Sequence, residues 1–230
     1  MDFLTPAELE AAKLSLIVGV SSAGFSLPFG IILGWLLARK NFIGKGVLDS
    51  LLHLPMVVPP VVTGYILLIL FGKRGIIGKP LFEIFGFSFA FNIKGAALAS
   101  AVIAFPLLVR AVRISMEGVD KNLEDAARTL GAGRLKVFFT ITVPLCMSGI
   151  ISGTVMAFAR SLGEFGATIT FVSNIPGETK TLPLALYSQL QIPGQEHAVV
   201  RIAVISLIFA FLALIASEYF ARKNMQKRAS

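Results

Sequence analysis

Arg160 and Glu164 stand four residues apart, one helical turn, beside a stretch of chain that is otherwise apolar. An ionisable side chain at bilayer depth costs at least ~2.5–3.5 kcal/mol on insertion scales, so such a pair faces protein or water rather than lipid. Two readings stay open. In one, Ser161, Glu164 and Thr168 border a path through the membrane or its gate. In the other, Arg160 and Glu164 share a helix face and form a structural ion pair that holds that helix to a neighbour. A carboxylate is an odd lining for an anion path, which keeps the second reading level with the first.

A second group lies upstream, where Pro55, Pro59 and Pro60 fall in an apolar run and Thr63 follows Pro59 by one turn. Prolines remove backbone donors and kink helices, and the freed carbonyls must be satisfied inside protein. A kinked helix makes a gate with a hydroxyl at Thr63, or a packing kink with no further role. The candidate pathway or gate residues are therefore Thr63, Arg160, Ser161, Glu164 and Thr168. Other chemistry is missing. Gly-Lys occurs at 44–45, 72–73 and 78–79 but is followed by Gly, Arg and Pro, so the phosphate-cradling G-x-x-x-x-G-K-[ST] pattern is not met and ATP hydrolysis is not expected of this chain. His53 and His197 are far apart and Cys146 is single, so no metal site, no catalytic constellation and no disulfide framework are expected. His53 reads as an interfacial residue.

The elements that must position these residues are membrane spans. Across 230 residues, 55% are hydrophobic and 15% charged, with a mean hydropathy of +0.80; this is too apolar for an ordinary soluble domain. No charged residue lies between Lys13 and Arg39, between Asp49 and Lys73, or between Lys136 and Arg160. A span needs about 20 apolar residues. A shorter stretch, 95–109, needs residues from either side, and a fifth runs over about 202–221. The run 82–91, broken by Glu83 and two glycines, reads as interfacial or re-entrant. Five spans follow, with six as the alternative count. The acidic N-terminus lacks the basic region of a secretory signal, so the first span is expected to be retained. Gly149 and Gly153 offer a close-packing helix face, expected within the subunit or at a homodimer contact.

The net charge of +8 lies beside the spans, where headgroups and topology account for it better than nucleic acid does. With the N-terminus outside and the C-terminus cytoplasmic, the inner segments carry Arg39, Lys40 and Lys45, then Arg110, Arg113, Lys121, Arg128, Arg134 and Lys136, then Arg222, Lys223, Lys227 and Arg228. These are thirteen of the 21 basic residues. Arg110 and Arg113 read as headgroup anchors. The outer segment 173–196, with Pro176, Gly177, Pro193 and Gly194, is long enough to meet a soluble partner. Lys73, Arg74 and Lys79 either anchor helix ends or make the outer mouth positive.

One polar island interrupts the apolar chain: Glu124-Asp125-Ala126-Ala127-Arg128-Thr129-Leu130-Gly131, followed by Ile141-Thr142-Val143-Pro144. Asn122 is positioned to cap a short helix, with Asp125 closing a capping box and Gly131 ending the helix in the left-handed region. This pattern resembles the EAA loop of ABC importer permeases, with Asp125 for the usual first Glu and Val143 before Pro144. The segments 53–60, 158–169 and 172–182 are similar to those of molybdate permease subunits, and the likeness runs from about the first span to the last.

The resemblance implies an all-α integral membrane protein with the type I ABC importer permease fold, in the bacterial cytoplasmic (inner) membrane and multi-pass. Residues 1–230 would be a single transmembrane permease domain, and 117–144 a cytoplasmic coupling loop in which Glu124, Asp125, Ala126, Ala127 and Gly131 meet the ATPase. Implied partners are a second copy of the chain, ATP-binding cassette subunits that bind ATP and Mg, and a periplasmic or extracellular molybdate-binding protein. No cofactor is implied in this chain. The implied activity is import of molybdate or tungstate by alternating access. Sulfate and thiosulfate, also tetrahedral dianions, are the alternative cargo; a passive channel or a membrane enzyme is the rival class.

Overall fold

A computed structural model describes residues 4–229, with side chains described as far as Tyr219. The basic side chains counted above at 222, 223, 227 and 228 lie outside the described residues, as does the start of the acidic N-terminus. Every regular element among the described residues is helical.

The first helix, α1 (Pro6–Arg39), starts at a capping box. Thr5 Oγ1 accepts from the Glu8 amide at 3.3 Å, and Glu8 Oε2 accepts from the Thr5 amide at 2.8 Å. Pro6 stands at the first helical position, where its missing N–H costs nothing. Glu8 is buried and receives two hydrogen bonds from Arg201 at its Oε1, which ties the first helix to the last.

The second expected span is not one helix. It divides into α2 (Lys45–Val57) and α3 (Pro60–Phe71), whose axes meet at 114°. Pro59 and Pro60 cannot donate to the preceding carbonyls, and Val58, before a proline, is held extended. The prolines thus end one helix and start another instead of kinking one. After α3 comes α4 (Gly78–Phe85), a short helix in the segment read as interfacial.

Asn92 accepts from the Gly95 amide and starts α5 (Ile93–Glu117). This is the stretch 95–109 extended at both ends, to 25 residues. It is the centre of the molecule: 61% of its apolar window is buried, against 22% for the final helix. Leu108, Val109, Val112 and Met116 are fully enclosed. A Cβ on Gly153 would lie 2.8 Å from Ala111 Cβ, and one on Gly149 would collide with Ser115, so the glycine face packs on α5 within the chain.

Two short helices, α6 (Lys121–Thr129) and α7 (Arg134–Val137), follow outside the apolar bundle. A π turn at Phe138–Thr142 and α8 (Val143–Leu145) then lead into α9 (Met147–Leu162). The fourth expected span is therefore also bent, by 69°. Next come α10 (Gly166–Val172) and α11 (Leu182–Leu190). Segment 173–196 is not a free loop. Thr181 and Pro183 begin α11, whose Leu182, Leu184 and Ala185 are buried, and the Leu182 amide donates to Ser15 Oγ at 2.7 Å. The chain closes with α12 (Glu196–Ala229), which exposes Leu207, Phe211 and Leu214.

Three helices are long and apolar enough to cross a membrane, and five spans result if each bent pair counts as one. Lipid tails are as apolar as leucine, so the bundle is held by close packing and by interhelical hydrogen bonds such as Ser22–Ser161 rather than by hydrophobic exclusion.

Candidate functional site

Two regions draw the sequence-selected residues together. The first is α6. Its N-cap is Asp120, not Asn122: Asp120 Oδ1 accepts from the Asn122 amide at 2.9 Å, and Asn122 lies inside the helix. Asp125 does not close a capping box either; it is exposed and accepts from Arg128 Nη1 at 3.0 Å. The other end follows the expected pattern. Gly131 has φ +85°, the Gly131 amide donates to Arg128 O, and the Ala132 amide donates to Ala127 O. This pair of bonds is a Schellman motif, which uses a left-handed residue to satisfy the last carbonyls.

Glu124 fixes α6 to the bundle. It is 5% exposed, and its Oε1 accepts from Arg39 Nε at 3.1 Å, Arg39 Nη2 at 2.9 Å and Thr142 Oγ1 at 2.9 Å. Arg39 Nη2 also donates to Val119 O. One carboxylate therefore joins the end of α1, the turn before α6 and the π turn after α7. Arg39, Val119 and Thr142 did not stand out in the sequence; the only available signal was that an arginine ending an apolar helix needs an anionic partner. With its buried edge held, α6 and the segment after it present Leu123, Leu130, Leu135 and Phe139 outward, interleaved with Asp125, Arg128, Arg134 and Lys136. Ala126 is exposed and Ala127 partly so. Such a rigid, mixed apolar and charged platform is suited to a protein contact.

The second region surrounds the junction of α9 and α10. Glu164 does not share a helix with Arg160. Helix α9 ends at Leu162, and Glu164 lies in the break before α10. The two still pair, Arg160 Nη1 to Glu164 Oε2 at 3.2 Å. Glu164 Oε1 also accepts from the Ala167 amide at 2.9 Å, so this buried carboxylate caps α10 as well. Ser161 is buried, donating to Ala157 O and bonded to Ser22 Oγ at 2.7 Å. Thr168 is buried and donates to Phe165 O. The start of α10 rests on the start of α3, where a Cβ on Gly166 would lie 2.8 Å from Pro60 Cβ, and Thr63 is buried one turn along α3. Arg160 is the exception. Its side chain is 37% exposed, and with Pro55, Val58 and Pro60 of the α2–α3 break and Leu107 of α5 it lines a cavity of about 110 Å³.

A third feature was not anticipated. At the end of the bundle that carries α6, a cavity of about 480 Å³ lies between α2 and α5, lined by Asp49, Ser50, His53, Arg110, Arg113 and Glu117 among others. Arg113 is not a free headgroup anchor. Its Nη1 donates to Asp49 Oδ2 at 2.8 Å and its Nε to Glu117 Oε1 at 2.9 Å. His53 Nδ1 is 2.8 Å from the Asp49 carbonyl oxygen.

The comparisons with known proteins agree with this architecture. The sequence profile of the family described as binding-protein-dependent transport system inner membrane component matches residues 26–228. The chain is 58% identical over 224 residues to the molybdenum transport system permease protein ModB of Escherichia coli K12, covering 97% of this chain and 98% of that one. The protein of the same name from Haemophilus influenzae is 56% identical over 221 residues, with 96% of each chain covered. A sulfate transport system permease protein, CysW of Synechococcus elongatus, is more distant, at 35% identity over 95% of this chain and 76% of its own. Among solved structures, the chain resembles an inward-facing methionine ABC transporter with TM-score 0.72 at 16% identity, covering 94% of this chain and 95% of that one. It also resembles a bacterial alginate ABC transporter in complex with a periplasmic protein, with TM-score 0.69 at 17% identity and coverages of 95% and 78%.

Proposed function

The chain belongs to the family of binding-protein-dependent transport system inner membrane components, and we propose that it forms the membrane path of an ATP-driven molybdate importer. It is a multi-pass protein of the inner membrane with the type I importer permease fold. The observation that carries the reading is the α6 platform, a polar helix outside the bundle, pinned from within by Glu124 and presenting apolar side chains outward.

In the proposed assembly two copies of the chain form the path, with the N-terminus outside. ATP-binding cassette subunits, which hold ATP and Mg, dock on the segment 117–144 through the surface around Asp125, Ala126, Ala127 and Gly131. A binding protein delivers the oxyanion from the other side. Closure of the ATPase pair displaces α6. Because α6 follows α5 through only Gly118, Val119 and Asp120, and is tied to α1 through Arg39, its movement is passed to both packed helices at once. The path then opens outward, and hydrolysis returns it. Thr63, Arg160, Ser161, Glu164 and Thr168 surround the α2–α3 break that acts as the gate; Arg160 meets the anion while Glu164 holds its guanidinium.

The test is uptake of labelled molybdate by cells that lack their own molybdate permease and carry this chain with its partner subunits. ATP-dependent uptake that excess tungstate reduces and excess sulfate leaves intact is the expected result. Uptake of sulfate in preference to molybdate would move the chain to the sulfate permeases, and uptake without ATP would leave a passive channel.

A further inference from the structure

We infer that Arg110 forms a second anion station, at the end of the bundle that carries α6, and that it takes the tetrahedral oxyanion after Arg160 on the way out. The inference rests on the transport reading above and adds a residue and a location to it. Three observations support it.

The first is continuity. Ile103 and Leu107 line the small cavity with Arg160, while Arg110 and Ile114 line the larger one beyond it. Positions 103, 107, 110 and 114 form one stripe of α5, about 16 Å long at 1.5 Å per residue. The other wall is continuous as well, since Pro55 and Met56 face the first cavity and Ser50 and His53 of the same helix face the second.

The second is the state of the charges. Asp49 and Glu117 both accept from Arg113, so that arginine neutralises carboxylates rather than offering itself to a ligand. Arg110 is exposed and makes no hydrogen bond or ion pair among the described residues. A guanidinium with five donors in a planar fork is the side chain best matched to an oxyanion. Ser50 adds a hydroxyl, and His53, with Nδ1 against its own helix, keeps Nε2 free.

The third is the strength such a site would have. Asp49 Oδ1 is buried with no hydrogen bond and lies 3.4 Å from His53 Nδ1, so the site retains a negative edge. Two arginines then face two carboxylates in one open cavity. Transit requires sites favourable enough to enter and weak enough to leave. A lone arginine beside a neutralised triad meets that requirement better than an arginine cluster would.

The test uses the complete transporter, with its ATPase subunits and binding protein, reconstituted in liposomes. Arg110→Gln is expected to lower the maximal rate of molybdate uptake roughly tenfold, the loss of one charge-assisted contact. The half-saturating molybdate concentration outside should stay unchanged, and Arg110→Lys should restore most of the rate. Independently, Ser50→Cys is expected to be shielded by millimolar molybdate, and not by chloride at equal ionic strength, from a methanethiosulfonate reagent applied at the α6 side. That shielding should vanish in Arg110→Gln and persist in Arg110→Lys. Unchanged rate and unchanged shielding in Arg110→Gln would overturn the inference. If Arg110→Gln fails to accumulate, absence of shielding in Ser50→Cys alone overturns it. A parent transporter that carries neither molybdate nor sulfate removes the functional reading and this inference together, whereas normal parental transport with an indifferent Arg110 removes only the inference.

Discussion

Arg39 and Glu124 are separated by 85 positions in sequence, yet Nε and Nη2 of the arginine both donate to one carboxylate oxygen, at 3.1 and 2.9 Å. Both side chains are more than nine-tenths buried. The contact ties the platform helix to α1, and with Thr142 on the same oxygen it makes α6 part of a rigid body rather than a loop. Removing one partner of a buried pair costs ~3–5 kcal/mol, whereas replacing both by apolar groups is often tolerated. Glu124→Ala is expected to lower the thermal stability of the solubilised protein and abolish co-purification of the ATPase. Arg39→Met combined with Glu124→Leu should recover stability more than ATPase binding. Co-purification at the parental level in Glu124→Ala would detach the platform from the ATPase.

At Gly131 the constraint is backbone conformation alone. Its φ is +85° and no atom stands within 4 Å of where a Cβ would be. Asn enters the left-handed region readily and a β-branched residue does not, with a cost on the order of 1–2 kcal/mol for ordinary residues. Gly131→Asn is expected to keep molybdate uptake near the parental rate. Gly131→Val should insert normally and lose uptake and ATPase stimulation. Equal uptake by the two variants would show that the end of α6 plays no part in coupling.

Glu164 serves Arg160 and the first turn of α10 with different oxygens, so two substitutions separate its roles. Gln keeps a carbonyl acceptor for the Ala167 amide but loses the charge; Ala loses both. Glu164→Ala is expected to reduce the yield of folded protein, since it strands a buried amide and an arginine at once. Glu164→Gln should retain yield and change the uptake rate or the molybdate-to-sulfate ratio. Parental uptake and selectivity in Glu164→Gln would confine this carboxylate to a structural part.

Orientation is checked by accessibility. Thr129 and Glu178 are both exposed, while Cys146 is buried and will not compete for reagent. In intact spheroplasts, Glu178→Cys is expected to react with a membrane-impermeant thiol reagent, and Thr129→Cys only after the membrane is opened. Labelling of Thr129→Cys from outside would place the platform on the face where no ATP is available.

Span positions were legible because hydropathy is a local property, and charge-free stretches located all five apolar segments. Their shape was not. Pro59 and Pro60 announced a disturbance, but whether a proline kinks a helix or ends it depends on what covers the freed carbonyls, and that is decided by α10 packing against α3. Helix α11 was missed since nine residues fall below a span's length, although Thr181 followed by Pro183 is a helix-start signal. At α6, Asp120 and Asn122 were both competent caps two residues apart, and Asp120 prevailed. The partnership of Arg39 with Glu124, like that of Arg113 with Asp49, had no sequence signature, because nothing local links residues so far apart.

The π turn at Phe138–Thr142 makes chain length itself a determinant. A π turn accommodates one more residue than the α-helical turns around it. Deleting one residue would let the segment relax to α geometry and rotate everything downstream by about 100° relative to everything upstream. Phe139 is exposed and its side chain is replaceable, yet its deletion would swing the Arg160 face of α9 away from the α2–α3 break while the platform stayed in place. The segment therefore works as a spacer that sets angular phase between the energy-receiving end and the gate. Exchange of Phe139 for Leu should preserve uptake where its excision ends it.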